Sequence, residues 1–375
     1  MHSNRLNRRQ FVAFSAAAFA ATGGARAGWA AEAGTAKPNV EDGLAWHDVR
    51  DWGVEGRGWS ETERYFDRLP SKAKGVVRAP VWSLSRHSAG MCCRFETDAT
   101  TIWARYELLS NALAMPHMPA TGVSGLDLYA RDAQGHWRWL GVTRPGQQKM
   151  KAQLAEGIDP GRREYLVYLP LYNGVESLEI GVGPGASFKP LAPRARPIVF
   201  YGTSITHGGC ASRPGMAYPA IVGRRLERPV VNLGFSGSGT MDPEVGALLA
   251  ELDAAVYVID CLPNMQADAV AARTEPLVRQ LRAARPKTPI VLVEDRTYAN
   301  AWLIAGQRQR HATSRAALRT AYERLKAGGV EGLSYVKGET LLGDDDEATV
   351  DASHPTDLGM VRMADALEPV LRPLR

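Results

Sequence analysis

From residue 197 onward the chain alternates short apolar runs with longer helix-patterned segments, and that alternation constrains the fold more than any other feature. Residues 198–201, 230–233, 254–259, 290–293 and 333–336 read as strands, and 216–226, 267–284, 311–327 and 356–371 read as helices. Strands that are apolar throughout must be covered on both faces, so the pattern predicts a three-layer α/β fold of flavodoxin type, a parallel sheet with helices on both sides. Right-handed crossovers place every strand's carboxyl end on one edge of such a sheet, and ligands bind at that edge.

The text before residue 190 differs. Strand-like segments at 76–81, 101–107, 126–130 and 165–169 are separated by turn pairs such as Gln134-Gly135 and Asn173-Gly174. Short strands with frequent turns predict an all-β sandwich or jelly roll over 46–189. Residues 190–197, with three prolines, read as a linker to a catalytic domain over 197–375, and 28–45 as a flexible lead-in. Trp137 and Trp139 would share one strand face, as a sugar platform or, the favoured reading, as ordinary aromatic core.

The first 27 residues read as a targeting segment. Asn7-Arg8-Arg9-Gln10-Phe11-Val12 precedes a weakly hydrophobic Ala-rich run, and Ala25-Arg26-Ala27 offers a cleavage site. Paired arginines in this setting resemble a twin-arginine export signal, which implies a periplasmic or secreted protein with no membrane anchor after cleavage. The formal charge is +5, but four arginines lie in 1–27; removing them from 45 leaves 41 basic against 40 acidic residues. No basic stripe remains for a phosphate backbone, so nucleic acid is excluded as a partner. Four cysteines are too few for a disulfide scaffold, and no C-x-x-C pair suggests structural zinc. Cys92, Cys93, Cys210 and Cys261 read as buried thiols, with Cys210–Cys261 the one pairing to test.

Chemistry collects just past the strands. Gly202-Thr203-Ser204 follows the first, Gly234-Phe235-Ser236-Gly237 the second and Asp260-Cys261-Leu262-Pro263-Asn264 the third; Asp351-Ala352-Ser353-His354 precedes the last helix. A serine hydroxyl needs a base, and His354 can take its proton. Asp351 can hold the other ring nitrogen. The backbone N–H groups of Ser204 and Gly237 and the Asn264 amide can stabilise an oxyanion. His207, three residues from Ser204, is a rival base, but no acid follows closely to orient it. Glu294 and Asp295, past the fourth strand, read as substrate-binding carboxylates or equally as a structural ion pair. Asp344-Asp345-Asp346-Glu347 lacks the spacing of a calcium loop and reads as a solvated turn. No metal ligand set or phosphate-binding glycine loop is present, so the chemistry needs no cofactor.

These blocks are similar to those of the SGNH (GDSL-type) hydrolases, whose Ser, Gly, Asn and His match Ser204, Gly237, Asn264 and His354, with Asp351 as the acid. Gly125-Leu126-Asp127-Leu128-Tyr129 resembles the Gly-x-Asp-Leu-Tyr motif of a two-domain bacterial branch with an N-terminal β-domain. The likeness covers about residues 120–375. Thr203 stands where many members have Asp, and Leu262-Pro263-Asn264-Met265 replaces the usual Gly-x-Asn-Asp; neither removes a catalytic group. The resemblance implies a serine esterase acting through acyl-Ser204. With the export signal, it favours a carbohydrate ester, with acetyl first among the acyl groups. The expected partner is a small polar ester or an acylated oligosaccharide. The alternatives are a lysophospholipase or thioesterase and a carbohydrate-binding protein with a vestigial site.

Overall fold

The computed structural model describes residues 37–374, so the export-signal reading of 1–27 lies outside the described residues. Ten strands build an antiparallel sandwich. β1 (Asn39–Glu41), β2 (Leu44–Asp48), β4 (Ile102–Leu108), β7 (Lys149–Ala155) and β9 (Val175–Val182) form one sheet, in the order β1-β2-β9-β4-β7. β3 (Cys92–Thr97), β5 (Asp127–Arg131), β6 (Trp137–Val142), β8 (Arg163–Tyr168) and β10 (Phe188–Leu191) form the other, ordered β10-β3-β8-β5-β6. β4 shows the cause in miniature: its residues alternate buried and half-buried, so Ile102, Ala104, Tyr106 and Leu108 enter the space between the sheets.

Five parallel strands follow: β11 (Ile198–Gly202), β12 (Val230–Gly234), β13 (Val256–Asp260), β14 (Ile290–Val293) and β15 (Leu333–Val336), ordered β12-β11-β13-β14-β15. Alternate side chains of these buried strands feed two separate cores. Tyr201, Leu233, Tyr257 and Leu292 pack with helices that include Val245, Val278 and Leu318. Phe200, Val230, Val258 and Val291 pack with those that include Ile221, Met360 and Leu367. Gly202, Gly234 and Asp260 lie in register, so the segments leaving β11, β12 and β13 emerge at one edge. β11 has β12 on one side and β13 on the other, and the chain therefore reverses its direction of winding there, at the site where such sheets bind ligands.

Several boundaries differ from the sequence reading. The expected strand at 76–81 is a turn followed by helix α1 (Ala79–Leu84), where Pro80 in the first turn sets a helical φ. The lead-in is already paired from Asn39, and the linker begins inside β10, where Pro190 is tolerated because β10 is an edge strand. Helices α2 (Ala120–Val123), α3 (Ser204–His207), α4 (Tyr218–Arg225), α5 (Pro243–Leu249), α6 (Ala267–Ala284), α7 (Ala305–Ala327) and α8 (Asp357–Leu371) complete the set; α5 was not anticipated, and α7 begins six residues before 311. All four cysteines are free and buried, so Cys210 and Cys261 are not paired. Trp139 is half exposed and so is not core, whereas Trp137 packs, partly buried, against the cluster of Cys92, Tyr129, Leu166 and Tyr168. Among the described residues no helix is long and apolar enough to cross a membrane.

Candidate active site

Ser204 opens α3 directly after β11. Thr203 caps that helix, its Oγ1 accepting from the Ile205 N–H at 3.3 Å, so a threonine does the capping at the position where Asp is common. The turn is tight enough to require Gly202, because a Cβ there would stand 2.1 Å from Thr206 Oγ1. Ser204 Oγ lies 2.8 Å from His354 Nε2, and His354 Nδ1 lies 2.7 Å from Asp351 Oδ2. The other Asp351 oxygen accepts from the backbone N–H groups of Ser353 and His354 at 3.0 and 2.7 Å. Partial burial pushes the Asp351 carboxyl up, but these donors and the imidazole outweigh it and hold it below the usual range.

Gly237 is needed for its backbone rather than for space. Its φ is +65°, while an added Cβ would meet nothing within 4 Å. Asn264 Oδ1 accepts from the Gly239 N–H at 3.2 Å, which leaves the amide NH2 free to donate. A hydroxyl, an imidazole, a carboxylate and three N–H donors, two from the backbone and one from an amide side chain, thus gather at one sheet edge. That set can move a proton from Ser204 and stabilise a tetrahedral oxyanion.

The other sequence candidates are placed elsewhere. His207 is fully buried, donates through Nε2 to the Leu171 carbonyl at 2.6 Å and stacks on Tyr172, while the Ser204 hydroxyl faces His354 instead; burial and then the Arg68 charge hold the His207 pKa far below the ordinary value. Glu294 and Asp295 correct the substrate-binding expectation. Glu294 is buried and accepts from Tyr335, Gly338 and Arg319. Asp295, also buried, pairs with Arg296 and Arg310 at 3.0 and 2.5 Å. Neither carboxylate is presented to a ligand, because both satisfy arginines or a backbone N–H. Their neighbour does matter: Arg296 donates to the Ser353 carbonyl at 3.0 Å and so braces the loop that carries His354. In the acidic turn, Asp345 binds Arg362 through both oxygens, and among the described residues no group of three His, Cys, Asp or Glu could hold a metal.

Two supports come from the β-domain. Tyr172 donates its single proton to the Ser204 carbonyl at 3.2 Å, since a carbonyl can only accept, and therefore receives the Ser236 hydroxyl proton at 2.7 Å. One phenol thus links the Ser204 backbone to the turn bearing Gly237. No motif marks Tyr172, which is why the sequence did not reveal it. The Gly125–Tyr129 motif acts as a clamp. Asp127, fully buried, accepts from Arg213 Nη1, the Gly215 N–H and Trp139 Nε1 at 2.9, 2.7 and 2.9 Å. Burial pushes its carboxyl up against the pull of Arg213. Thr121 adds a bond to the Ser212 carbonyl, and Ser212 in turn bonds Asp357, three residues past His354.

Residues 195–372 match the model of the GDSL-like lipase/acylhydrolase family, and 44–188 match that of the N-terminus of SGNH-hydrolase-type esterases. A protein from Bacteroides ovatus described as a GDSL-like lipase is 33% identical, with 88% of this chain and 98% of that one covered and a TM-score of 0.83. The salicylyl-acyltransferase SsfX3 from a tetracycline biosynthetic pathway shares the fold at 18% identity, 89% and 98% coverage and a TM-score of 0.73. So does the acetyl xylan esterase Est2A from the rumen bacterium Butyrivibrio proteoclasticus, at 10% identity, 88% and 98% coverage and a TM-score of 0.57. No curated protein matches the chain. With an antiparallel sandwich carrying the Gly125–Tyr129 clamp and a parallel sheet presenting the four blocks at one edge, the chain belongs to the SGNH (GDSL-like) lipase/acylhydrolase family.

Proposed function

We propose that the protein is an exported serine esterase that removes small acyl groups, acetyl first, from carbohydrate or other polar esters. The observation that carries this is the unbroken chain from Ser204 Oγ to His354 Nε2 at 2.8 Å and from His354 Nδ1 to Asp351 Oδ2 at 2.7 Å. Ser204 attacks the ester carbonyl as His354 Nε2 takes its proton. The oxyanion accepts from the Ser204 and Gly237 N–H groups and the Asn264 amide. His354 then gives the proton to the leaving oxygen, the alcohol departs, and acyl-Ser204 remains. Water next attacks the acyl carbon as His354 takes its proton, and the imidazolium returns that proton to Ser204 Oγ as the acid departs. The twin-arginine pattern of residues 8–12 supports export, and the acetyl xylan esterase of the same fold supports a polysaccharide ester.

A second reading has one observation in its favour. Trp302, Leu303 and Ile304 are 72%, 69% and 44% exposed, on a loop whose Ala299 N–H bonds the Ala352 carbonyl of the His354 loop at 3.0 Å. An apolar rim there suits a lysophospholipase or thioesterase. Rates on acetyl, butyryl and octanoyl esters of one alcohol, beside acetate release from acetylated oligosaccharides, separate the two. A pocket that buries the acyl chain gains ~0.8 kcal/mol per CH2, roughly fourfold in rate for each. A fall from acetyl to octanoyl supports the carbohydrate esterase; a steady rise overturns it.

A further inference from the structure

The β-domain sends a loop to the catalytic imidazole. His117 is exposed, and its ring centroid stands 6.3 Å from that of His354, tilted by 46°. The loop is held there firmly. Met115 and Met118 exchange both backbone hydrogen bonds, at 3.0 and 3.1 Å, so Pro116 and His117 form the tip of a closed two-residue turn. Met118 is 2% exposed and sits in the same core as Ile205, next to Ser204, and Met360, six residues past His354. Pro116 and Pro119 stiffen the tip further. Ordering such a turn costs conformational entropy, and the one ring near that of His117 among the described aromatic pairs is His354. His117 caps no helix, pairs with no carboxylate and fills no core.

We infer that His117 is a substrate-contacting residue on the leaving-alcohol side, and that it hydrogen-bonds a hydroxyl adjacent to the esterified oxygen. Two facts assign the side. The acyl carbonyl is drawn toward the donors of Ser204, Gly237 and Asn264. The leaving oxygen must instead come within reach of His354 Nε2, which returns its proton, so the alcohol passes the group that stands beside His354. An imidazole can donate or accept there, which suits a polyol or a sugar and not a simple alkyl alcohol. The assignment deepens the proposed function and rests on its serine-esterase chemistry, but not on the alcohol being a sugar.

The test measures kcat/KM of the full chain and of His117→Ala and His117→Gln on ethyl acetate, glyceryl monoacetate and an acetylated xylo-oligosaccharide. The expected result is that the glyceryl-to-ethyl ratio falls about tenfold in His117→Ala, the order expected for one lost hydrogen bond to substrate. His117→Gln, which keeps a donor and an acceptor, restores part of it. An unchanged ratio overturns the assignment, whether the individual rates stay level or fall together. If the wild type ignores the xylo-oligosaccharide while the glyceryl ratio still depends on His117, the sugar reading fails and this one stands. Circular dichroism of both variants checks that the turn's removal of one ring leaves the fold in place.

Discussion

Replacing Asp127 tests whether the Gly125–Tyr129 motif clamps the domains together. In Asp127→Ala, three donors lose their acceptor. Trp139 is half exposed and turns to water at little cost. The Gly215 N–H is buried, and an unmet buried donor costs ~1–3 kcal/mol. Arg213 keeps the Tyr129 hydroxyl but loses its countercharge with its side chain only 19% exposed. Breaking one side of a buried ion pair costs ~3–5 kcal/mol, and the residual exposure of Arg213 puts the total near the lower end, ~3 kcal/mol. Asp127→Asn can keep its remaining oxygen toward Arg213 and Gly215, while its NH2 cannot accept from the Trp139 Nε1–H, which turns to water, so its loss is ~1–2 kcal/mol. At about 2–4 °C per kcal/mol for a unit of this size, Tm falls by roughly 6–12 °C for Ala and 2–8 °C for Asn. Calorimetry gives Tm, and kcat on nitrophenyl acetate follows the site, since Ser212 and Asp357 connect the clamped loop to the His354 loop. Adding Arg213→Met to Asp127→Ala removes the stranded charge and should recover part of the loss, a non-additivity read by a double-mutant cycle. A Tm for Asp127→Ala within about 1 °C of wild type would refute the clamp.

Three further outcomes are expected. Ser204→Ala and His354→Ala lose activity to about the same background, and the double variant loses no more, because nucleophile and base act as one unit; steady-state kinetics in which either single variant retains normal kcat removes the assignment. Asn264→Ala lowers kcat by ~10²–10³ with little change in KM, since its bond matures on the oxyanion; a loss confined to KM would make it a ground-state binder instead. Burial pushes the Asp260 carboxyl up to about 7, against the pull of Arg296, while Tyr218 and Thr206 donate to it. Its folded value lies above the ordinary 3.8, so the folded state holds a proton that the unfolded chain releases. Stability from this group is therefore full below about 3.8 and lost as pH rises to about 7. Denaturant melts across that window should show a downward slope that Asp260→Asn flattens, and equal slopes in both proteins would contradict the protonated carboxyl.

Local pattern carried much of the molecule. The five apolar runs became β11 to β15 because a segment with no polar face has nowhere to sit but between two layers of helices. Strand order then required no further information to bring Ser204, Gly237, Asn264 and the Asp351–His354 loop to one edge. The first three were legible because each follows its strand within four positions, whereas Asp351 and His354 were legible by their own spacing just ahead of the last helix. Local pattern failed where neighbours decide. Residues 76–81 are β-formers by composition, yet Val77 and Val81 lie four apart and pack as one side of a turn and helix on the hydrolase core. Glu294 and Asp295 stand past a strand end as a binding pair would, but arginines from α7, distant in sequence, reach and bury them.

The sequence by itself determined which chemical groups follow which strands, since that depends only on order along the chain and on the period of apolar residues. The tertiary structure alone decided which groups face one another across the two domains. Tyr172 meets Ser204 and Ser236, Asp127 meets Arg213, and His117 meets His354 over separations of 32, 64, 86 and 237 residues along the chain. A contact of that kind depends on how two independently patterned surfaces dock, and hydrophobic periodicity, which reports only whether a side chain is buried, does not encode what it is buried against.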